Sequence, residues 1–117
     1  MFKKFLTAFA IMLFSVIYSQ QVGKASYYGG HHHGKKTASG QVFNMYALTA
    51  ASNSHPMGTV LKVTNVKNNK SVIVKINDTG GFKKYGRLLD LSMGAFSQIA
   101  NVKQGIITVM VEVISKR

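Results

Sequence analysis

Asp78 and Asp90 stand in the segment KINDTGGFKKYGRLLDLS, which runs from Lys75 to Ser92. They are two of only three acidic residues in a chain of 117; the third, Glu112, lies near the C-terminus. Against fifteen Lys and Arg, these carboxylates do not balance surface charge, so each calls for a specific explanation. Asp78 follows the β-type run from Ser71 to Ile76 and opens a glycine-rich loop. Asp90 comes just before a helix start at Ser92. Loop positions at the ends of rigid elements are where catalytic and ligand-binding groups concentrate. The same positions suit an Asp that caps backbone N–H groups. Both roles are open at this level.

The elements that must hold these residues read as mostly β. In Thr59–Val66, Leu61 and Val63 share one face and Lys62 and Thr64 the other. Val72, Val74 and Ile76 share a face, opposed by Ile73, Lys75 and Asn77. Near the C-terminus, Ile107, Val109, Val111 and Val113 alternate with Thr108, Met110 and Glu112. A period of two predicts half-buried strands. Lys67–Lys70, with Asn68 and Asn69 at its centre, predicts a hairpin turn, because Asn tolerates positive φ. Val22–Tyr28 suits an opening strand. A single short helix is expected over Ser92–Ala100, with Ser92 as N-cap and Ala95, Phe96 and Ile99 on its apolar face. Several short strands with one brief helix predict a small closed all-β barrel, since closure removes exposed edges.

The N-terminus bears on location. Lys3 and Lys4 precede a nearly continuous apolar run from Phe5 to Tyr18, followed by Ser19. A basic start, a short apolar stretch and a small residue predict a secretory signal peptide over residues 1–19, with one domain over 20–117. The apolar run is short for a membrane span. There is no Cys, so neither a disulfide framework nor a lipid-modified N-terminal Cys is expected. The expected product is a protein exported to the periplasm or cell envelope, or secreted, with no stable membrane anchor and acting as a monomer. Loss of Lys3 and Lys4 lowers the formal charge of +12 to about +10. Outside the cytoplasm, the anionic partners for such a charge are cell-wall polymers and envelope surfaces, not nucleic acid.

Read in order, the chain carries GKASYYG (Gly23–Gly29), HGKKTASG (His33–Gly40), QVFNMYALTAAS (Gln41–Ser52), VTN (Val63–Asn65), KINDTGGF (Lys75–Phe82) and GRLLDLS (Gly86–Ser92). Six ordered motifs at compatible spacing are far more specific than any one of them. Together they resemble the rare lipoprotein A (RlpA)-like family. The resemblance implies a six-stranded double-psi β-barrel with one short helix, export, and lytic transglycosylase activity on peptidoglycan. The implied bond is that between N-acetylmuramic acid and N-acetylglucosamine, in glycan strands lacking stem peptides, with 1,6-anhydro ends as products. It implies catalytic roles for Asp78, which matches the Asp of the family's NDRGPF motif, and for Asp90, which matches that of RIIDLS. Gln41, Ser52, Asn77, Phe82 and Tyr85 are then expected to bind substrate. The family carries Glu where this chain has Gln41, and His where it has Ser52. Gln can hydrogen-bond a sugar but does not exchange a proton near neutral pH. An alternative reading follows: a non-catalytic, expansin-like module that binds or loosens wall glycan.

No metal and no cofactor are expected. The consecutive residues His31, His32 and His33 would point in alternating directions in an extended loop, and neither Cys nor a nearby acid completes a ligand set. His33 is accounted for by the HG motif. His55, beside Pro56, is expected in a surface turn rather than folded back toward Ser52. Tyr27 or Tyr28, with Phe43, is expected in the core. Phe82 and Tyr85 lie between the two Asp residues, where aromatic rings can stack on sugars or pack the loop.

Overall fold

The computed structural model describes residues 20–28, 30–80 and 86–116. The expected signal peptide, Phe82 and Tyr85 lie outside the described residues. Six strands close into a barrel: β1 (Gln20–Tyr27), β2 (Thr49–Ala51), β3 (Thr59–Asn65), β4 (Ser71–Asp78), β5 (Arg87–Leu91) and β6 (Ile107–Lys116). Around the wall the order is β1-β5-β2-β4-β3-β6, and β6 pairs back onto β1. β1 with β5 and β2 with β4 are parallel pairs; the other four contacts are antiparallel. This is the expected six-stranded double-psi barrel.

The period-two runs line its interior. Leu61, Val63, Val72, Val74, Ile76, Val109 and Val111 are all buried. The hairpin between β3 and β4 turns at Asn69, whose φ is 61°. Across it, the Asn65 N–H donates to the Lys70 carbonyl at 2.8 Å. The one α-helix among the described residues, α1 (Met93–Ile99), starts where the sequence predicts. Ser92 Oγ accepts the Ala95 N–H at 3.1 Å, and Ala95, Phe96 and Ile99 are fully buried. At the other end, the Ile99 carbonyl accepts the side-chain amides of Asn65 (2.8 Å) and Asn68 (3.0 Å). The hairpin thus supplies donors to a helix terminus that lacks them internally.

Three features depart from the period-two reading. β2 and β5 are strands of three and five residues that the alternation does not mark out. β4 continues past Ile76 to Asp78. Asn77, expected opposite the apolar face, is instead buried. The cause is a register shift. On β4, Lys75 and Ile76 pair with Thr49 and Ala50, but Ala51 pairs with Asp78, so Asn77 is an extra residue. An equivalent shift lies between β1 and β5: Lys24 pairs with Arg87 and Ala25 with Leu89, leaving Leu88 extra. Such bulges re-aim the side chains that follow. Gly23 makes room for this one, since a Cβ there would lie 2.9 Å from Leu88 Cβ.

Helix α1 also presses on the loop before β2. A Cβ on Gly94 would lie 2.5 Å from the Tyr46 carbonyl oxygen. The Gly94 N–H donates to the Met45 carbonyl at 2.8 Å. In an open helix, Gly→Ala stabilises by roughly 1 kcal/mol. Overpacking against backbone costs roughly 1–3 kcal/mol, so it outweighs that gain here. Gly94→Ala is therefore expected to lower stability in urea denaturation; a more stable variant would show that the helix and loop can separate freely.

Candidate active site

Strict alternation along β4 would send residue 78 inward with Val72, Val74 and Ile76. The extra Asn77 turns Asp78 to the outer wall instead. On β5, Leu89 and Leu91 enter the core and Asp90 between them faces out by ordinary alternation, while the extra Leu88 sets Asp90 opposite Ser26. Register then aligns Ser26, Asp90, Ala51 and Asp78 on one rung across β1, β5, β2 and β4. The two Asp-bearing strands flank β2, so the Asp backbones are about 10 Å apart, two strand spacings. The sequence-predicted carboxyls are brought together by pairing, with neither serving as the helix cap.

Asp78 is held by three donors. Its Oδ1 accepts the N–H groups of Ala38 and Thr79, each at 2.9 Å, and its Oδ2 accepts the Tyr28 hydroxyl at 2.8 Å. A carboxylate offers about four acceptor positions, so one remains for a ligand. Tyr28 is both core and site. Its ring stacks on Phe43 with centroids 4.6 Å apart, inside a small cluster with Ala51 that covers the rung. Burial, the hydrogen bond to Asp78 and the charges of Asp78 and Asp90 push the phenol far above its usual range. Tyr28 therefore stays a donor. The double Tyr at the end of the first strand was the available signal, but hydrophobicity alone reads it as packing.

Asp90 accepts the Ser26 hydroxyl at 3.0 Å, and Ser26 Oγ in turn accepts Arg87 Nη1–H at 2.8 Å. Burial raises the Asp90 carboxyl above the usual aspartate range. The Ser26 hydrogen bond and the Arg87 and His32 charges oppose that rise, while the Asp78 charge adds to it. His32 packs edge-on against Tyr28, with centroids 5.5 Å apart. Ser26 and Arg87 were not singled out from sequence, and His32 was weighed there only as a metal ligand; strand register and loop packing reveal their place beside Asp90.

The remaining expected site residues divide. Asn77 Nδ2 donates to Gln41 Oε1 at 3.4 Å, beside Asp78. Ser52 follows Ala51 and its N–H donates to the Asp78 carbonyl at 3.0 Å, but its side chain is buried. Ser52 Oγ accepts the N–H groups of Ser54 and His55, both at 3.1 Å, and lies 3.0 Å from His55 Nδ1. With both lone pairs taken, the hydroxyl donates to Nδ1 and leaves the imidazole proton on Nε2. His55 therefore does fold back onto Ser52, contrary to the surface-turn expectation, because the turn needs that hydroxyl. Burial lowers the His55 pKa. Asn53 pairs with both the N–H and the carbonyl of Gly80, tying down the segment after Asp78. Among the described residues, no group of three or more His, Cys, Asp or Glu could hold a metal ion.

These features define a double-psi barrel with two carboxyls on one rung of its outer wall. The chain belongs to the lytic transglycolase family, whose model matches residues 20–111. It is 51% identical over 92 residues to the endolytic peptidoglycan transglycosylase RlpA of Campylobacter jejuni, covering 79% of this chain and 33% of that protein. It is 52% identical over 87 residues to RlpA of Helicobacter pylori, covering 74% and 27%. With RlpA of Vibrio cholerae the figures are 44% over 93 residues, covering 80% and 35%. The chain thus spans about a third of the length of these relatives. The barrel is similar to that of a Clavibacter michiganensis expansin in complex with cellohexaose (TM-score 0.66, 21% identity, 84% of this chain and 52% of that one). It is also similar to the Streptomyces papain inhibitor (TM-score 0.68, 19% identity, 85% and 97%).

The raised Asp90 pKa has a consequence for stability. Folding takes up a proton between the ordinary aspartate value of 3.8 and the higher folded value. The associated stability is full at acid pH and is lost as pH rises through the folded value. Asp90→Asn cannot ionise. It is expected to melt above wild type at neutral pH, with the advantage shrinking toward pH 3.8. An advantage that grows on acidification would contradict the assigned burial effect.

Proposed function

We propose that this barrel is an exported enzyme that cleaves peptidoglycan glycan strands between N-acetylmuramic acid and N-acetylglucosamine, preferring strands without stem peptides. The observation that carries this reading is Asp78, aimed outward by a bulge, fixed by three donors and set on one rung with a second carboxyl. Family membership and the identity to endolytic peptidoglycan transglycosylases support it.

In the proposed reaction, the protonated Asp78 carboxyl gives its proton to the glycosidic oxygen. The C1–O bond breaks, and its electron pair leaves with that oxygen. Asp78, now a carboxylate, takes the proton of the muramic acid C6 hydroxyl while O6 bonds to C1 and closes the 1,6-anhydro ring. Donating first makes the same group the base, so the proton count closes on one residue. Water does not enter, and the route needs no metal or organic cofactor. Asp90 modulates Asp78 through its charge. Tyr28, Ala38 and Thr79 hold the carboxyl in place. Gln41 and Asn77 meet the sugar; Ser52 acts through the turn it organises. Phe82 and Tyr85 are assigned to sugar stacking on sequence grounds. The working unit is a monomer in the periplasm or envelope, delivered by a signal peptide over residues 1–19.

A second reading is favoured by the same substitutions that mark this chain. With Gln41 and Ser52 in place of Glu and His, the barrel would act as a non-catalytic, expansin-like glycan module. Mass spectrometry of stem-stripped peptidoglycan digests decides between them. Wild type is expected to release 1,6-anhydro-muramyl ends. Asp78→Asn is expected to lose at least about 100-fold in rate, the lower range for a general acid–base group, and to keep its glycan binding. Equal release by both proteins would remove Asp78 from the mechanism; binding without any release by wild type would establish the second reading.

A further inference from the structure

An open groove of about 350 Å³ adjoins Asp78: one wall reaches Asn77, its neighbour in sequence, and the other reaches Ser39, next to the Ala38 whose N–H the Asp78 carboxyl accepts. Ser39 and Gln41 line it from the loop whose Ala38 N–H holds the Asp78 carboxyl. Lys75, Ile76 and Asn77 line it from β4, and Met57 from the turn before β3. Lys75 is the one charged side chain in this lining, and it is exposed. The Asn77–Gln41 hydrogen bond uses one Asn77 amide proton and the Gln41 carbonyl. It leaves the Gln41 NH2 as donor and the Asn77 carbonyl as acceptor, the complement of an acetamido group's C=O and N–H.

We infer that this groove is the subsite for an N-acetylmuramic acid residue whose lactyl group is free, with Lys75 pairing its carboxylate and the Gln41–Asn77 amides meeting its acetamido group. The inference rests on the glycan-cleaving reading above and adds to it the origin of the preference for stripped strands. A stem peptide is joined to the lactyl group as an amide. Its removal uncovers an anion at that position, which a lone cation in the groove can select. Gln41 is neutral, so the Lys75 charge is unopposed within the lining. Thr37 and Gln41 close the loop that presents this amide, the Thr37 N–H donating to the Gln41 carbonyl at 2.8 Å.

The test uses fluorescently labelled stem-stripped strands and the same strands with their lactyl carboxylates converted to methylamides. Binding is read by anisotropy in the Asp78→Asn background, so that turnover does not intervene. Methylamidation is expected to weaken binding about two- to five-fold, the scale of an exposed ion pair. Lys75→Gln should weaken binding to the free-carboxylate strands by the same factor and leave the methylamide strands unaffected. Lys62→Gln, which removes an equal charge on β3, should not reproduce that selectivity. If Lys75→Gln weakens both ligands alike, or Lys62→Gln discriminates equally, the subsite is wrong and only bulk charge is at work. If the protein binds neither strand and wild type cleaves none, the glycan reading itself fails, and the subsite with it. Normal cleavage by wild type without Lys75 selectivity would overturn the subsite alone.

Discussion

Two extra residues in the sheet, Asn77 and Leu88, are the constraint on which the rest of this molecule depends. A strand alternates its side chains strictly, so one inserted residue exchanges inside for outside from that point on. On β4 the alternation upstream of Asn77 serves the core. Downstream it puts a carboxyl on the outer wall, while Leu89 and Leu91 of β5 stay within. Without the shift at Asn77, alternation would drive Asp78 toward an apolar interior, where an unpaired charge is costly. The bulges therefore reconcile a closed apolar barrel with an acidic pair only two strands apart.

The pair then acquires its properties from what covers it. Tyr28 bonds to Asp78 from a buried position, and its stacking on Phe43 fixes the ring. Burial dominates the titration of Asp90 over the nearby cations. The two carboxyls thus meet different partners: Asp78 two backbone N–H groups and a phenol, Asp90 a serine hydroxyl.

Relative to the family pattern, the substitutions at 41 and 52 change charge and proton-transfer capacity, not the frame. Gln41 still reaches Asn77, and Ser52 is absorbed into a turn that orients His55. The imidazole of His55 is held neutral by burial and by its contact with the Ser52 hydroxyl. The chain keeps two neutral polar side chains, Gln41 and Asn77, paired beside Asp78.

The strands with long apolar alternation, β3, β4 and β6, were legible in the sequence because a period of two over seven or more residues has little competition. The turn at Asn69 and the cap at Ser92 were legible because each residue's own chemistry suits that backbone. Asp78 and Asp90 stood out as candidates through acid scarcity and motif order. Other features could not be read locally. β2 and β5 are too short to show a period, and the bulge at Leu88 breaks the little pattern β5 has. Tyr28, Ser26, Arg87 and His32 belong to the site through contacts between segments distant in sequence, which no local pattern records. The sequence by itself determined which residues could form a barrel and which could carry a proton. Only tertiary pairing decided that the two acids face the same side, because that depends on register between strands, and register is a property of neighbours.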